Sequence, residues 1–376
     1  MRRLAFIDVA RGIAVILMVY IHCFNSWVDP ARRDTTAYHV AQHLGGFAAP
    51  GFLLLAGVGL GFKFDSARRR GQTLQQTRRS ALKRGGQILL LAYVFRFQEW
   101  LLAGAKGAVV QLLKVDVLNC IGAALILTAL LGPGTGAWKR LSSELPKPRP
   151  WPSFRWAMLL ALATPLIWQL PFPLGLWQAL TGYIGGDPQW SAFPLFPWAA
   201  YALAGFGVGL LWSAAAARGG EALGPAVFKV TTWSLAFGLA GRGLHVLLVP
   251  YVGDAASANL GWTSPARFAY RLGISLALTG SLYAFERAKV VPLWETVRRM
   301  GQASLLIYWV HVDLVYGRLS GPLHGRLTLI QTGLGLLLLL AAMAMLAWAR
   351  TSGYLKLPSW FSLRTASRAA GPGRGA

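Results

Sequence analysis

Ten apolar segments, most of them close to 20 residues long, divide the chain and set narrow limits on its fold. An α-helix needs about 20 predominantly apolar residues to cross the roughly 30 Å of hydrocarbon in a bilayer. Inside hydrocarbon every backbone polar group has to be bonded internally, so such segments form helices. The sequence therefore predicts an all-α polytopic integral membrane bundle with about ten transmembrane helices. The predicted spans are residues 4–24, 44–63, 86–105, 116–133, 154–170, 191–216, 225–250, 266–286, 301–318 and 325–349.

The net charge of +24 on 376 residues suggests nucleic-acid binding until the charges are placed. The two termini and the alternate loops that lie on their side hold 25 Lys and Arg, whereas the opposite loops hold seven. This is the positive-inside pattern, so both termini are predicted to be cytoplasmic. Basic loops also attract anionic headgroups, so membrane lipids rather than nucleic acid are the predicted partners. Use of a basic loop to bind an anionic cytosolic ligand is left open.

One membrane domain is predicted to occupy residues 1–350. Residues 351–376 form a polar tail that ends in GPGRGA, which is typical of a disordered cytoplasmic segment. The sequence contains no internal repeat of the kind that many transporters carry.

Three ionisable residues interrupt the first apolar segment: Asp8, Arg11 and His22. At 100° per residue, eleven residues bring His22 to within about 20° of Arg11 on one helix face, roughly 16 Å along it. Asp8 and Arg11 have the spacing of a pair on one face. That pair is either a salt bridge that satisfies itself or a site where Arg11 holds an anionic group from the cytosol. His22 is either an interfacial residue near the helix end or a working histidine.

Two more histidines, His39 and His43, precede the second span. His43 stands just ahead of LGGFAAPG, residues 44–51. Pro50 is expected to kink or break the second helix and to free backbone groups for a site. A kink that serves packing alone is an equal alternative.

Polar residues on many other helices fall in the predicted outer half of the membrane. For each pair of them, a structural salt bridge or hydrogen bond is at least as good an interpretation as a working site. Together, however, they predict a shared water-filled cavity open to the outside, with Asp8 and Arg11 at its cytosolic entrance, because so many charges cannot all face lipid. They are Arg96 with Glu99, Asp116 with Asn119, Arg242 with His245, Tyr270 with Arg271, and Ser304, Tyr308 and His311 with Asp313.

The sequence lacks the motifs of several common catalytic mechanisms. The chain has no glycine-rich phosphate loop with a lysine, no paired-cysteine or His-Glu helix motif for zinc, and no serine nucleophile elbow. No metal is therefore expected. Histidine near carboxylates and arginines remains, and this combination suits general-base or nucleophilic catalysis of group transfer.

The motifs along the chain resemble a known group of membrane enzymes. The spacing from Arg11 to His22 is similar to the Arg-x10-His hallmark of the acyltransferase-3 superfamily. The resemblance is more specific to the heparan-α-glucosaminide N-acetyltransferase-like family and its bacterial relatives. It rests on IDVARGIA at 7–14, FAAPGFLLLAG at 47–57, DVLNCIG at 116–122, FPLFPW at 193–198 followed by Gly205-x-Gly207, and SLLIYWVH at 304–311.

This resemblance implies a membrane acyltransferase of ten or eleven helices. Acyl-CoA, usually acetyl-CoA, would bind from the cytosol as co-substrate, and a sugar acceptor would receive the acyl group on the far side. By position, His22 would be the base or acyl carrier and Arg11 would hold the donor. The eukaryotic enzyme has its active histidine in the loop after the first helix, where His39 and His43 are the nearest candidates. The working histidine is therefore open among these three, with His22 favoured.

The resulting hypothesis is a bacterial inner-membrane enzyme that transfers acetyl from cytosolic acetyl-CoA to a cell-envelope sugar or glycolipid. A transporter or flippase of a polar glycan is the alternative, and an inactive relative that acts as an assembly partner is a third reading. A homodimer is left open. The predicted catalytic residues are His22, His43 and Asp8, the donor-binding residue is Arg11, and the acceptor-binding residues are Arg96, Glu99, Asp116, Asn119, Arg242, His245 and His311.

Overall fold

The computed structural model describes residues 4–102, 104–105, 109–133, 149–170, 178–185, 191–248, 264–288 and 293–356. Within these ranges the chain is all-α, as predicted, and contains no strand beyond two isolated bridges. Most of the predicted tail, from residue 357 onward, lies outside the described residues. The helices are α1 Ala5–Trp27, α2 Thr36–Gly45, α3 Ala48–Arg69, α4 Leu74–Leu102, α5 Val117–Leu131, α6 Trp151–Ile167, α7 Gln178–Thr181, α8 Leu195–Ala217, α9 Gly220–Leu248, α10 Pro265–Ala288, α11 Trp294–Gln302, α12 Ser304–Tyr316 and α13 Leu329–Thr351.

Each of the ten predicted spans overlaps one of these helices. Among the described residues, four helical stretches are long and apolar enough to cross a membrane by length and composition. The count of ten spans and the cytoplasmic location of the termini stay predictions. The four stretches are Ala5–Trp27, Thr36–Arg69 (which joins α2 and α3), Leu195–Ala217 and Leu329–Thr351.

The break expected at Pro50 lies a few residues earlier. Helix α2 ends at Gly45 and α3 begins at Ala48, so Pro50 falls in the first turn of α3. A proline there removes no helical hydrogen bond, because the first backbone N–H groups of a helix have no intrahelical acceptor. The chain therefore turns between two separate helices, and α2 carries His39 and His43 on an element of its own.

Helices α3 and α8 pack at close range through four glycines. Gly57 and Gly61 on α3 face Gly205 and Gly209 on α8, four residues apart on each helix. A Cβ atom built on any of the four would overlap a backbone oxygen of the opposite helix. This is the small-xxx-small arrangement that lets membrane helices approach closely. It makes the α3–α8 pair a rigid part of the core.

Helix α11 crosses α1 in a similar way and positions α12 beside α1. A Cβ atom at Gly12 would overlap the backbone oxygen of Val297, and one at Gly301 would overlap that of Asp8. Directly after this crossing the chain passes Ala303 and begins α12, which runs beside α1. The close crossing therefore fixes how the residues of α12 meet those of α1.

Candidate active site

Two histidines from the two ends of the chain meet between α1 and α12. Nδ1 of His22 lies 2.9 Å from Nε2 of His311, and the rings stack at 14° with their centroids 5.0 Å apart. His311 is fully buried, whereas His22 is partly exposed. The side chain that was predicted as a base is therefore held by a second, buried imidazole.

The hydrogen bonds define which nitrogen carries each proton. Nδ1 of His311 lies 2.7 Å from the backbone oxygen of Ile307, which can only accept, so this nitrogen carries the proton. In the neutral ring Nε2 of His311 is then an acceptor, and Nδ1 of His22 donates to it. Neutral His22 is left with a lone pair on Nε2. That nitrogen can take a proton or attack an electrophile.

Aromatic rings and backbone contacts hold this histidine pair in place. Tyr308 lies edge-on to His311 at 5.9 Å, and Tyr316 lies edge-on to His22 at 5.4 Å between ring centroids. One turn beyond His22, the indole Nε1 of Trp27 donates to the backbone oxygen of Val315 at 3.2 Å. The C-terminal ends of α1 and α12 are therefore fastened together next to the pair. As predicted, Ser304 shares a face of α12 with Tyr308 and His311, and all three are buried.

Asp8 and Arg11 pair at the other end of α1, as their spacing predicted. Nη1 of Arg11 lies 3.4 Å from Oδ1 of the buried Asp8. The amide of Gln302 donates to the other carboxylate oxygen at 3.2 Å. Fourteen residues separate Asp8 from His22 on one helix, about 21 Å along the axis, so the two side chains do not meet.

Apolar side chains occupy the part of α1 between these two ends. Val15 and Met18 lie on the helix face that joins Arg11 to His22, and both are buried. Each belongs to an apolar cluster that includes residues of α12. The polar residues at the two ends of α1 therefore form separate groups, and a hydrated chamber that connects them stays a prediction.

A third polar group joins α4 to the start of α5. Nη2 of Arg96 lies 3.1 Å from Oδ2 of Asp116, so its ion pair is with the next helix and not with Glu99 on its own. Asp116 and Asn119 form a capping box at the N-terminus of α5. Nδ2 of Asn119 donates to the hydroxyl of Tyr183 at 3.3 Å. These residues close the end of the α4–α5 pair where α4 ends and α5 begins.

Helix α4 also contacts the helix that carries His311, through Gln98. Nε2 of Gln98 donates to Oδ2 of Asp313 at 2.8 Å, and its Oε1 accepts from Nε1 of Trp309 at 2.9 Å. The charges of Arg96, Asp116 and Asp313 all act on Glu99. Carboxylates therefore concentrate on the α4–α5 side of the histidine pair.

A fourth group, formed by residues of α2, α9 and α10, is basic. Nε2 of His43 on α2 lies 3.0 Å from the hydroxyl of Tyr270 on α10. The charges of Arg271, Arg267 and Arg242 act on His43. The charges of Arg267 and Arg242 also act on the imidazole of His245. His39 lies apart from this group, on the surface 3.5 Å from Asp34.

Sequence reasoning missed four of the residues in these groups: Gln98, Tyr183, Arg267 and Gln302. Arg267 carried a usable signal, because it precedes Arg271 by four residues and so shares its helix face. Gln98 and Gln302 are uncharged, and nothing in their local sequence distinguishes them. Among the described residues, no group of three His, Cys, Asp or Glu is placed to hold a metal ion.

Comparison with protein families gives a match. A family model described as "Heparan-alpha-glucosaminide N-acetyltransferase, catalytic" matches residues 3–249, about two thirds of the chain. The matched range includes Asp8, Arg11 and His22 and the motifs at 47–57, 116–122 and 193–198. His311 lies beyond it. No curated protein matches the chain.

Proposed function

We propose an activity for this chain from one premise: the chain belongs to the heparan-α-glucosaminide N-acetyltransferase catalytic family. Members of that family are acetyltransferases, and the apolar helices identify this chain as a membrane protein. Our proposal is that it transfers acetyl from cytosolic acetyl-CoA to a carbohydrate acceptor of the cell envelope. The reaction takes place in the bacterial inner membrane, with the acceptor on the outer side.

The histidine pair is the observation that carries this proposal. Nε2 of His22 takes the proton from an acceptor hydroxyl or amine while that oxygen or nitrogen attacks the thioester carbonyl carbon. A new C–O or C–N bond forms, the C–S bond breaks, and the CoA thiolate leaves and recovers the proton from the His22 imidazolium. His311 fixes the His22 tautomer and orientation, as a carboxylate does for a catalytic histidine elsewhere. Proton removal of this kind supplies about 10²–10⁴ in rate.

Arg11 is our candidate for holding the donor. Its pairing with Asp8, itself bound by Gln302, aims the guanidinium from a fixed position near the predicted cytosolic end of α1. Guanidinium groups suit phosphates, and CoA carries several. We therefore assign Asp8 the positioning of Arg11 rather than a step at the reacting atoms. The acyl arm of the donor has to cover about 16 Å, past Val15 and Met18, to reach His22.

The remaining predicted residues fall on the acceptor side in this proposal. Arg96, Glu99, Asp116 and Asn119 border the histidine pair from α4 and α5, and an amino sugar would find carboxylates there. We assign His43, Arg242 and His245 to acceptor binding as well, as the basic group of the site. His43 is hydrogen-bonded to Tyr270 and not to His22, so we assign His43 to acceptor binding.

The test is acetyl transfer by the purified chain in detergent, where no gradient exists. Radiolabelled acetyl-CoA is incubated with a panel of amino sugars and oligosaccharides, and acetylated products are identified by mass spectrometry. The proposal expects a covalent product. Movement of a glycan across proteoliposomes without covalent change would support a carrier instead.

A matched pair of variants separates the two ends of α1. Arg11→Gln is expected to raise the KM for acetyl-CoA by about tenfold with a smaller change in kcat, because it removes binding to a non-reacting part of the donor. His22→Gln is expected to lower kcat. Equal effects of both variants on both constants would contradict this division of roles.

A further inference from the structure

Tyr316, the last residue of α12, lies between the histidine pair and the carboxylates of α4 and α5. Its ring stands edge-on to the imidazole of His22, with the two ring centroids 5.4 Å apart. The charges of Asp116 and Glu99 act on its hydroxyl group. This one side chain is therefore next to the reacting histidine and within the electrostatic reach of the acidic group.

Helix α12 turns the face that carries Tyr316 toward α4. Trp309, Asp313 and Tyr316 follow one another at the spacing of a single helix face. The side-chain amide of Gln98 on α4 is hydrogen-bonded to the first two of them, at 2.9 Å and 2.8 Å. Tyr316 is one turn further along this face, at the end of α12 that is fastened to α1. The ring therefore borders the space between α1 and α4.

The side chain of Tyr316 is open to a ligand. The residue is 44% exposed, although its neighbour Val315 is fully buried. Among the described residues, none forms a hydrogen bond with its hydroxyl group. Tyrosines at the ends of membrane helices are often interfacial anchors. An anchor faces headgroups, whereas the ring of Tyr316 contacts the imidazole of His22.

Carboxylate oxygens on the same side are open as well. Glu99 is partly buried, and it forms no hydrogen bond or salt bridge with any other residue that the structure describes. Asp313 accepts from Gln98 through Oδ2 alone. A sugar has hydroxyl groups that donate to carboxylates and a face of C–H groups that packs on the electron-rich face of an aromatic ring. An exposed ring bordered by carboxylates suits both surfaces.

We propose that the sugar ring of the acceptor packs on the aromatic ring of Tyr316, which holds the nucleophilic hydroxyl or amine at Nε2 of His22. Both residues lie near the C-terminal ends of their helices. The positive-inside pattern puts those ends on the outer side, where the proposed function puts the acceptor. As an account of the acceptor, this inference rests on the proposed function, but the binding itself can be measured without it.

Sugar binding without acetyl-CoA tests the inference separately from catalysis. The purified chain in detergent is titrated with glucosamine, N-acetylglucosamine, glucose and the trisaccharide of each. Tyr316→Leu removes the aromatic ring, with Tyr316→Met in its place if the leucine variant does not fold, whereas Tyr316→Phe removes the hydroxyl group alone. Tyr354→Leu is the control, because Tyr354 is an exposed tyrosine that follows α13. The titration is repeated in His22→Gln.

We expect at least one of these sugars to bind the unaltered chain and to bind Tyr316→Leu at least about fivefold more weakly. Tyr316→Phe, Tyr354→Leu and His22→Gln should each bind it within about twofold of the unaltered chain. The inference is overturned if no sugar binds, or if folded Tyr316→Leu binds as tightly as the unaltered chain. It is also overturned if Tyr316→Phe loses as much affinity as Tyr316→Leu, because the hydroxyl group and not the ring would then hold the sugar. Binding as expected without acetyl transfer to any sugar would count against the proposed function alone.

Discussion

Nδ1 of His22 donates to Nε2 of His311 across 2.9 Å, and that single contact joins residues 289 positions apart in the chain. The backbone oxygen of Ile307 fixes the tautomer of His311, and His311 in turn fixes that of His22. As a result, Nε2 of the partly exposed His22 carries a lone pair. A buried, hydrogen-bonded partner of this kind orients a base without contacting the substrate.

His311 is therefore predicted to act as a positioning residue. His311→Leu removes the acceptor for His22 and should lower kcat on the order of 10–100-fold, with a smaller change in KM. His311→Gln presents an amide oxygen near the place of Nε2 and should restore part of the loss. Steady-state kinetics on purified variants, with thermal unfolding as the check on folding, measure both. Equal activity of the two variants would show that His311 serves packing alone.

The glycine contacts between α3 and α8 predict a position-specific effect on stability. Gly57→Ala places a methyl group against the backbone of Ala202, and such overpacking costs typically about 1–3 kcal/mol. Gly59→Ala is the matched control on the same helix, because its added Cβ atom meets nothing within 4 Å. Unfolding in mixed micelles should separate the two variants clearly. Similar losses from both would exclude the close crossing.

Asp116 has two roles that substitution can separate. Asp116→Asn keeps an oxygen for the capping box of α5 but removes the ion pair with Arg96. Asp116→Ala removes both. The alanine variant should therefore be less stable than the asparagine variant by about 1 kcal/mol, the usual value of an N-cap. If the two unfold alike, the cap contributes nothing measurable here.

Labelling tests the predicted topology. In a background with Cys23 and Cys120, both buried and free, replaced by serine, single cysteines are placed at exposed positions by Arg79→Cys and Leu319→Cys. The positive-inside pattern puts residue 79 in the cytosol and residue 319 outside. An impermeant maleimide should label Leu319→Cys in intact spheroplasts and Arg79→Cys only after permeabilisation. The reverse pattern would invert the account of donor and acceptor sides.

Local spacing predicted the parts of the structure that depend on one helix. The Asp8–Arg11 pair and the shared face of Ser304, Tyr308 and His311 both follow from helical periodicity, and the structure shows both. That the face is buried was not predicted. The all-α class follows from apolar segments that must bond their backbone internally. For these features, residues close together in the sequence determine the structure.

Contacts between helices were beyond that reasoning. Arg96 has Glu99 three residues away on its own helix, yet its ion pair is with Asp116, which the α4–α5 packing brings to 3.1 Å. The partnership of His22 with His311 depends on the crossing of α1 and α11 at Gly12 and Gly301. No spacing within one segment encodes which face of another helix it will meet.

The most direct test of the account is the rate of acetyl transfer by His22→Gln relative to the unaltered chain, both purified and saturated with acetyl-CoA and acceptor. If Nε2 of His22 is the base, kcat falls by about 10²–10⁴ while acetyl-CoA still binds. If the variant transfers acetyl within about threefold of the unaltered rate, His22 is not the base, and the mechanism built on the histidine pair is wrong.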